Sequence, residues 1–489
     1  MSDTKVDSIT IRMYNTGSVG DCLLLLFKKE NIISYSMLID CGGINTSTVA
    51  ITACAEDIKT TCGGKLDLLI VTHQHEDHIS GFNLAKPVFD KILVDEVWMS
   101  WVEDKSDPIA VIVKKKYGKK LKEFKKASLD ALTSIKQIKI PTNVKGAKAR
   151  IESTKLNILE TIRLLEFEEG LSHGAGLRKG AKSNNDAMNY VRKKGKKLSY
   201  KLPGDVIKNL KGAEGLKFYI LGPPRDEDLK FLKIELNEEE MYHFAISAQA
   251  KEITKEIERV GNSGSELTEF VSPFSDQYLL TGKEKSLFMQ EYNSPEYKWR
   301  QIETDGLDSS SEVALALTRL MNNTSLAMAI EIEETGDVIL LPADAQSGNW
   351  MSWHTEKVSE SLKNKGGKNT RELLENTIFY KVGHHGSHNG TASVSGLDLI
   401  GEKHVIAFMP LVQDKVPTAW GGATNFPAKK LYSAIIEKTK GRVVRTDIGL
   451  IQTYKAKKLR SALPESKKSE LRKLYKKGPN YCEYTIKVF

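Results

Sequence analysis

Cysteine is scarce in this chain of 489 residues, and the spacing of the few present excludes more than their number does. Cys22, Cys41, Cys54, Cys62 and Cys482 contain no C-x-x-C pair, so neither a disulfide framework nor a zinc knuckle is expected. Long apolar runs are also missing. The longest candidate, Leu23-Leu24-Leu25-Leu26-Phe27, falls far short of the ~18–20 residues of a membrane helix. The opening Met1-Ser2-Asp3-Thr4-Lys5 has no signal-peptide core, and no repeat of fixed period is visible. These absences predict a cytoplasmic globular protein with no membrane partner. The 40% apolar and 28% charged content is that of a folded chain rather than a disordered one.

What is present is uneven charge. The net +9 comes from 72 Lys/Arg against 63 Asp/Glu, and the excess sits in three stretches. Residues 105–150 hold fourteen basic side chains against three acidic, 178–211 eleven against two, and 455–477 ten against two. The remainder is acidic on balance. Segregation of this kind suits a polyanion partner, although a Lys-rich amphipathic helix is also an ordinary solvated face.

Hydrophobic patterning predicts strands at 8–14, 22–27, 35–39 and 66–71, the last ending at a histidine cluster. Further strands are expected at 216–221, 325–332, 338–341, 378–382, 404–408, 442–445 and 484–489, with a helix at 428–438. The simplest organisation is a single α/β core spanning 1–489. Two insertions interrupt it, a basic helical one at 105–210 and a charged helical one at 225–311, and a basic C-terminal extension follows at 455–489.

Six of the ten histidines fall in two short clusters. Thr72-His73-Gln74-His75-Glu76-Asp77-His78 packs three imidazoles and two carboxylates into six residues directly after a strand. Neutral imidazole and carboxylate are the ligands that borderline cations such as Zn²⁺ prefer. Alternate spacing sends His73 and His75 one way, while the turn brings Asp77 and His78 round to a second ion. His384, His385 and His388 form the other cluster, with His388 read as a rim residue. His173, His243, His354 and His404 are isolated and read as structural or surface positions.

This H-x-H-x-D-H pattern resembles the signature of the metallo-β-lactamase superfamily. Asp40, before Gly42-Gly43, is similar to the family's first acidic motif. Ile339-Leu340-Leu341-Pro342-Ala343-Asp344-Ala345 resembles its strand-ending segment, with Pro342-Ala343 replacing the usual Thr-Gly. Lys381-Val382-Gly383-His384-His385-Gly386-Ser387 resembles the last ligand motif. Val19-Gly20-Asp21, Asn322-Asn323-Thr324-Ser325-Leu326, Asn425-Phe426-Pro427 and Arg445-Thr446-Asp447-Ile448-Gly449 narrow the likeness to the soluble hydrolase domain of ComEC-type DNA-uptake proteins.

The resemblance implies a four-layer αββα sandwich carrying two divalent ions, Zn²⁺ or Mn²⁺. Its ligands would be His73, His75, Asp77, His78, the bridging Asp344, and one histidine of the His384-His385 pair. His384 is favoured as the ligand, which leaves His385 to contact substrate or donate a proton. Asp77 would also orient a bridging hydroxide, with Asp40 and Asn323 supporting from behind the ligands. The family's usual third histidine is absent. Asn322-Asn323-Thr324 stands there instead, which leaves the first site poor in ligands, because a carboxamide oxygen is a weak donor beside imidazole.

The activity implied is that of a metal-dependent phosphodiesterase or nuclease acting on DNA. Lys114, Lys115, Lys116, Lys119, Lys120, Lys193, Lys194, Lys196 and Lys197 would hold the polynucleotide. The alternatives are a hydrolase of a small ester, thioester or nucleotide, and a regulatory module with an inactive metal core. Standalone relatives are often encoded in bacterial gene clusters, antiviral defence loci among them, which implies a protein partner from the same cluster.

Overall fold

The computed structural model describes residues 5–137, 183–225, 230–233, 321–401, 404–417, 420 and 422–488. Isolated helical positions are also described at 155–156, 158–159, 162, 287–288 and 290–291. The chain divides into two compact units. One comprises Met1–Tyr117, Glu166–Ala245 and Leu317–Phe489, the other Gly118–Leu165 and Ile246–Ala316. What is described of the second unit is helical, with Leu132, Ile158 and Ile162 buried. The architecture below is that of the first.

Among the described residues sixteen strands form two eight-stranded sheets. The first sheet contains β1 (Ser8–Tyr14), β2 (Leu23–Lys29), β3 (Ile32–Ile39), β4 (Lys65–Val71), β5 (Leu93–Ser100) and β6 (Gly195–Lys201). The second contains β7 (Val206–Lys208), β8 (Leu216–Ile220), β9 (Met328–Ile332), β10 (Val338–Leu341), β11 (Thr377–Lys381), β12 (Ile406–Met409), β13 (Val443–Arg445) and β14 (Gly449–Leu450). The chain then returns to the first sheet with β15 (Tyr475–Lys477) and β16 (Tyr481–Lys487). The first sheet runs β15-β16-β1-β2-β3-β4-β5-β6 and the second β14-β13-β12-β11-β10-β9-β8-β7. Each has a parallel part, β3 to β6 at one edge of the first sheet and β10 to β13 within the second, joined to antiparallel strands on one side in the first and on both sides in the second.

The continuous apolar run of β2 follows from burial on both faces. Leu23, Leu25 and Phe27 enter a core shared with Phe218, Ile330, Phe379 and Phe408 of the second sheet, whereas Leu24 and Leu26 face helices. The outer face of the first sheet is covered by α1 (Thr48–Thr61) and α2 (Glu76–Leu84), through Ile51, Ile58, Ile79 and Phe82. Leu362, Leu373, Leu431 and Ile435, all on helices, cover the second. The result is an α/β sandwich with the two sheets innermost. At roughly 1.5–3 kcal/mol per fully buried Leu or Phe side chain, these three interfaces supply the main stabilising term.

Several elements depart from the sequence expectation. β5 has no counterpart in it, and β6 and β7 lie where a basic helical segment is predicted. Lysine-rich β6 is an edge strand, and charged side chains on an edge discourage pairing with another chain. Helix does occupy Pro108–Gln137 and Asn184–Arg192 within that segment. The 225–311 segment lies almost wholly outside the described residues. The basic C-terminal segment is part of the core, because β16 pairs with β1 along seven residue pairs from Ser8↔Lys487 to Tyr14↔Tyr481. Among the described residues no helix is long and apolar enough to cross a membrane.

Candidate metal centre

Loops at the C-terminal ends of parallel strands carry the site, where a rigid sheet holds side chains that the loops are free to present. Asp40 follows β3, the Thr72–His78 segment follows β4, Asp344 follows β10, and His384 and His385 follow β11. Four of these loop residues are non-glycine with left-handed backbone: Asp40 (φ 55°), Ala343 (φ 54°), His384 (φ 45°) and His385 (φ 52°). Each such residue costs on the order of 1 kcal/mol or more, and strain of this kind concentrates at functional sites. Gly42 is needed for close approach. A Cβ there would lie 2.5 Å from the backbone of Asp77 and His78. The loops are also laced together, Asp21 N donating to Asp77 O at 2.9 Å and Cys41 N to His78 O at 2.8 Å.

Asp40 sets the protonation of two histidines from behind. Its Oδ2 accepts from His78 Nδ1 at 2.7 Å and from the Thr72 hydroxyl at 2.6 Å, while Oδ1 accepts from Thr72 N at 2.8 Å. Because that hydroxyl proton is committed, Thr72 Oγ1 accepts from His73 Nδ1 at 3.1 Å. Both Nε2 atoms therefore face inward. His73 Nε2 stands 3.0 Å from His75 Nδ1, and His78 Nε2 stands 3.1 Å from Asp344 Oδ2. His385 is fixed in the same way, its Nδ1 donating to Pro410 O at 2.7 Å, and its Nε2 lies 2.8 Å from Asp77 Oδ2 and 3.6 Å from Asp344 Oδ2. Carboxylate or carbonyl partners on Nδ1 are the usual device for aiming Nε2 at a cation.

Asp21, His78, Asp344 and His385 are all buried, and one ligand atom from each lies within 4.8 Å of the others. This cluster could hold a metal ion. The residues present fit that role on an independent observation. Among the described residues nine buried side-chain N or O atoms lack a hydrogen-bond partner, and three lie where the Nε2 atoms of His78 and His385 meet the carboxylates: Asp77 Oδ1, His78 Nε2 and Asp344 Oδ2. An unsatisfied buried polar group costs roughly 1–3 kcal/mol, against a total stability of about 5–15 kcal/mol for a domain. Three in one cluster is a concentration that packing alone does not call for, and a cation there would satisfy them.

The electrostatics agree. Burial opposes protonation of His78, yet Asp344, Asp77, Asp40 and Asp21 outweigh it and hold the imidazole well above its ordinary value. His385 is raised for the same reason, Asp344 and Asp77 overcoming burial. Burial also works against ionised Asp344, but His78, Lys381 and His385 keep it well below the usual carboxylate range. Asp77 is lowered against burial by His78 and His385. Burial, reinforced by His78 and His75, pushes His73 far down. A cluster that gathers protons onto His78 and His385 in the metal-free chain has a strong appetite for positive charge.

His385 rather than the favoured His384 therefore lies in the four-residue cluster. His384 is half-buried, with its Nδ1 beside Ser387 Oγ at 2.6 Å and Asn389 Oδ1 at 3.2 Å. Its Nε2 lies 3.4 Å from Asn322 Nδ2, and burial pushes its pKa down to about 4. Asn323 turns elsewhere. Its Oδ1 accepts from Gln346 N and Asn349 N, both at 3.2 Å, bracing the start of the helix after Asp344. Of the two asparagines, Asn322 is the one beside His384.

Asp21 and Lys381 stand in motifs that carry the family resemblance, but the sequence assigns neither a role at the site. Asp21 ends the Val19-Gly20-Asp21 motif before the Leu23–Phe27 run, and Lys381 opens the segment that resembles the last ligand motif. Lys381 is buried, ion-paired to Asp21, with Nζ 3.3 Å from Asp344 Oδ1.

The predicted nucleic-acid lysines are largely engaged within the chain. Lys114 pairs with buried Glu103 at 2.6 Å, Lys196 with Asp95 at 2.7 Å, and Lys197 with Glu96 at 3.0 Å. Lys194 donates to Asp90 O at 3.3 Å. Lys119 has a partner as well, whereas Lys115 and Lys193 are exposed. The side chains of Lys116 and Lys120 lie outside the described residues. No protein-family model matches the chain, and no curated protein is significantly similar to it.

Proposed function

We propose that this chain is a metal-dependent hydrolase of phosphodiester bonds, with nucleic acid as its substrate class, built on a metallo-β-lactamase fold. The observation that carries the reading is the convergence of three unsatisfied buried polar atoms, Asp77 Oδ1, His78 Nε2 and Asp344 Oδ2, with imidazoles whose Nδ1 protons are already committed. His78, His385, Asp77 and Asp344 would hold one divalent ion, and His73, His75 and Asp344 a second. Bound ions of this kind supply Lewis acidity and lower the pKa of water toward ~7.

The chain's own residues orient and shuttle protons. Asp40 and the Pro410 carbonyl fix the tautomers of His78 and His385. His384 presents Nε2 as a neutral acceptor, because its Nδ1 proton is given to Ser387 and Asn389. We therefore assign proton movement to His384, in place of the expected His385. The basic excess of the sequence favours a polyanionic substrate.

A second reading, hydrolysis of a small ester or nucleotide, is favoured by one observation: Lys114, Lys194, Lys196 and Lys197 already have partners within the chain. The test is cleavage of labelled single- and double-stranded DNA, RNA and a chromogenic phosphodiester by the metal-free chain reconstituted with Zn²⁺, Mn²⁺ or Mg²⁺. Metal-dependent cleavage of a polynucleotide supports the first reading. Turnover of the chromogenic diester alone supports the second, and no turnover of any substrate with any metal overturns both.

A further inference from the structure

Asp344 offers the site two oxygens, and the structure treats them differently. Oδ2 faces His78 and His385 and has no hydrogen-bond partner. Oδ1 is occupied, accepting from His384 N at 3.1 Å and from Lys381 Nζ at 3.3 Å. The lysine is held in turn by the Ala343 carbonyl at 3.0 Å and by Asp21. Asp21 itself stands behind the histidine rings, with Oδ1 3.7 Å from His385 Nδ1 and Oδ2 3.8 Å from His78 Nδ1. Lysine and aspartate are each at most 3% exposed by side chain.

A buried ion pair is a poor stabiliser, since desolvation offsets much of its attraction. Its placement here points to another task. We propose that the Asp21–Lys381 pair is a positioning clamp: Lys381 locks one oxygen of Asp344 so that only the other is presented to a bound metal ion. The inference rests on the metal reading above. In it Lys381 touches neither substrate nor metal and acts through Asp344, and Asp21 keeps the ammonium in place.

The test is Co²⁺ binding by the full chain, followed by the visible absorption of the ion and by competition with a chromogenic chelator. Three variants are compared: Lys381→Met, Asp21→Asn and the double variant Asp21→Asn/Lys381→Met. The double variant removes both charges, so it leaves no unpaired buried ion and guards against a folding failure in Lys381→Met. Freeing Asp344 Oδ1 adds an oxygen donor, and higher coordination weakens the Co²⁺ bands. The expected result is an absorption fall of about twofold or more in both variants lacking Lys381, with a smaller fall in Asp21→Asn, where the ammonium loses its carboxylate but keeps the Ala343 carbonyl. Tighter Co²⁺ binding in Lys381→Met, where a competing cation is gone, is expected beside it. A folded double variant with an unchanged Co²⁺ spectrum overturns the clamp while leaving the metal reading intact. Failure of the unsubstituted chain to bind Co²⁺ overturns both.

Discussion

On strand β6, Lys196 and Lys197 each find a carboxylate on the neighbouring strand while their side chains stay 72% and 68% exposed. Around Asp344 the charges are as dense but buried, and several of their atoms have no protein partner. The two regions show that density of charge by itself is a weak sign of function. An exposed pair contributes ~1 kcal/mol or less and can serve only to keep a sheet edge soluble. A buried, unsatisfied group is paid for by the rest of the fold, so it persists where something is to be bound.

The largest expected effect follows from removing charge at the centre of the buried region. Asp344→Asn should lower metal-dependent turnover by about 10²-fold or more, exceeding the loss typical of a residue behind the ligands, while leaving the fold intact. Turnover within a few-fold of the unsubstituted chain, with unchanged metal content, would remove the reason for treating the two regions differently.

Asp40→Asn addresses the same region from behind. It takes away the acceptor that fixes His78 Nδ1, so metal affinity should fall by about 10- to 100-fold. Chelator competition measures this, and an unchanged affinity would mean that Asp40 serves only the fold.

Proton binding gives a further test, in the metal-free chain. His78 and His385 lie above the ordinary imidazole value of 6.5, so the fold keeps protons there that the unfolded chain releases. That stabilisation is complete below 6.5 and is lost as pH rises through the folded values. Asp344 and Asp77 lie below the ordinary 3.8, so their contribution is present above 3.8 and is lost as pH falls. His384, down at about 4, adds a cost as pH falls below 6.5. The melting temperature without metal should therefore drop as pH rises above 6.5 through the folded values of His78 and His385, and added metal, which takes the deprotonated rings, should abolish that drop. A metal-free chain that grows more stable over this range contradicts the assignment.

The smallest effect belongs to the exposed region. Lys196→Gln and Lys197→Gln should each change stability by ~1 kcal/mol or less. Neutralising exposed Lys115 and Lys193 should flatten the log–log salt dependence of polynucleotide binding by roughly 0.7–0.9 for each phosphate that a lysine no longer neutralises. An unaltered slope makes these side chains a solvated face and shifts weight to the small-substrate reading.

The legibility of the chain follows the same division. Apolar runs buried on both faces, such as Leu23 to Phe27, announce their strands, and His73, His75, His78 and Asp344 announce a site because structure alone rarely needs them together. β6 is hidden because an edge strand needs little apolar surface and its Gly-Lys-Lys-Leu-Ser-Tyr-Lys sequence reads as a basic helix. Adjacent residues are the other difficulty. Whether Asn322 or Asn323, and His384 or His385, faces the centre depends on loop conformation, in the second pair on two successive left-handed residues that composition does not reveal. Asp21 and Lys381 are single ionisable residues next to or within strands, and only the fold brings them together.

The most direct test of the buried cluster is elemental analysis of the full chain after reconstitution with Zn²⁺ or Mn²⁺ and removal of loose metal, made beside His384→Ala and His385→Ala. The unsubstituted chain should retain transition metal, His384→Ala should match it, and His385→Ala should lose an ion. A reconstituted chain that holds no metal, or a His385→Ala variant that keeps all of it while His384→Ala does not, would contradict the centre described here.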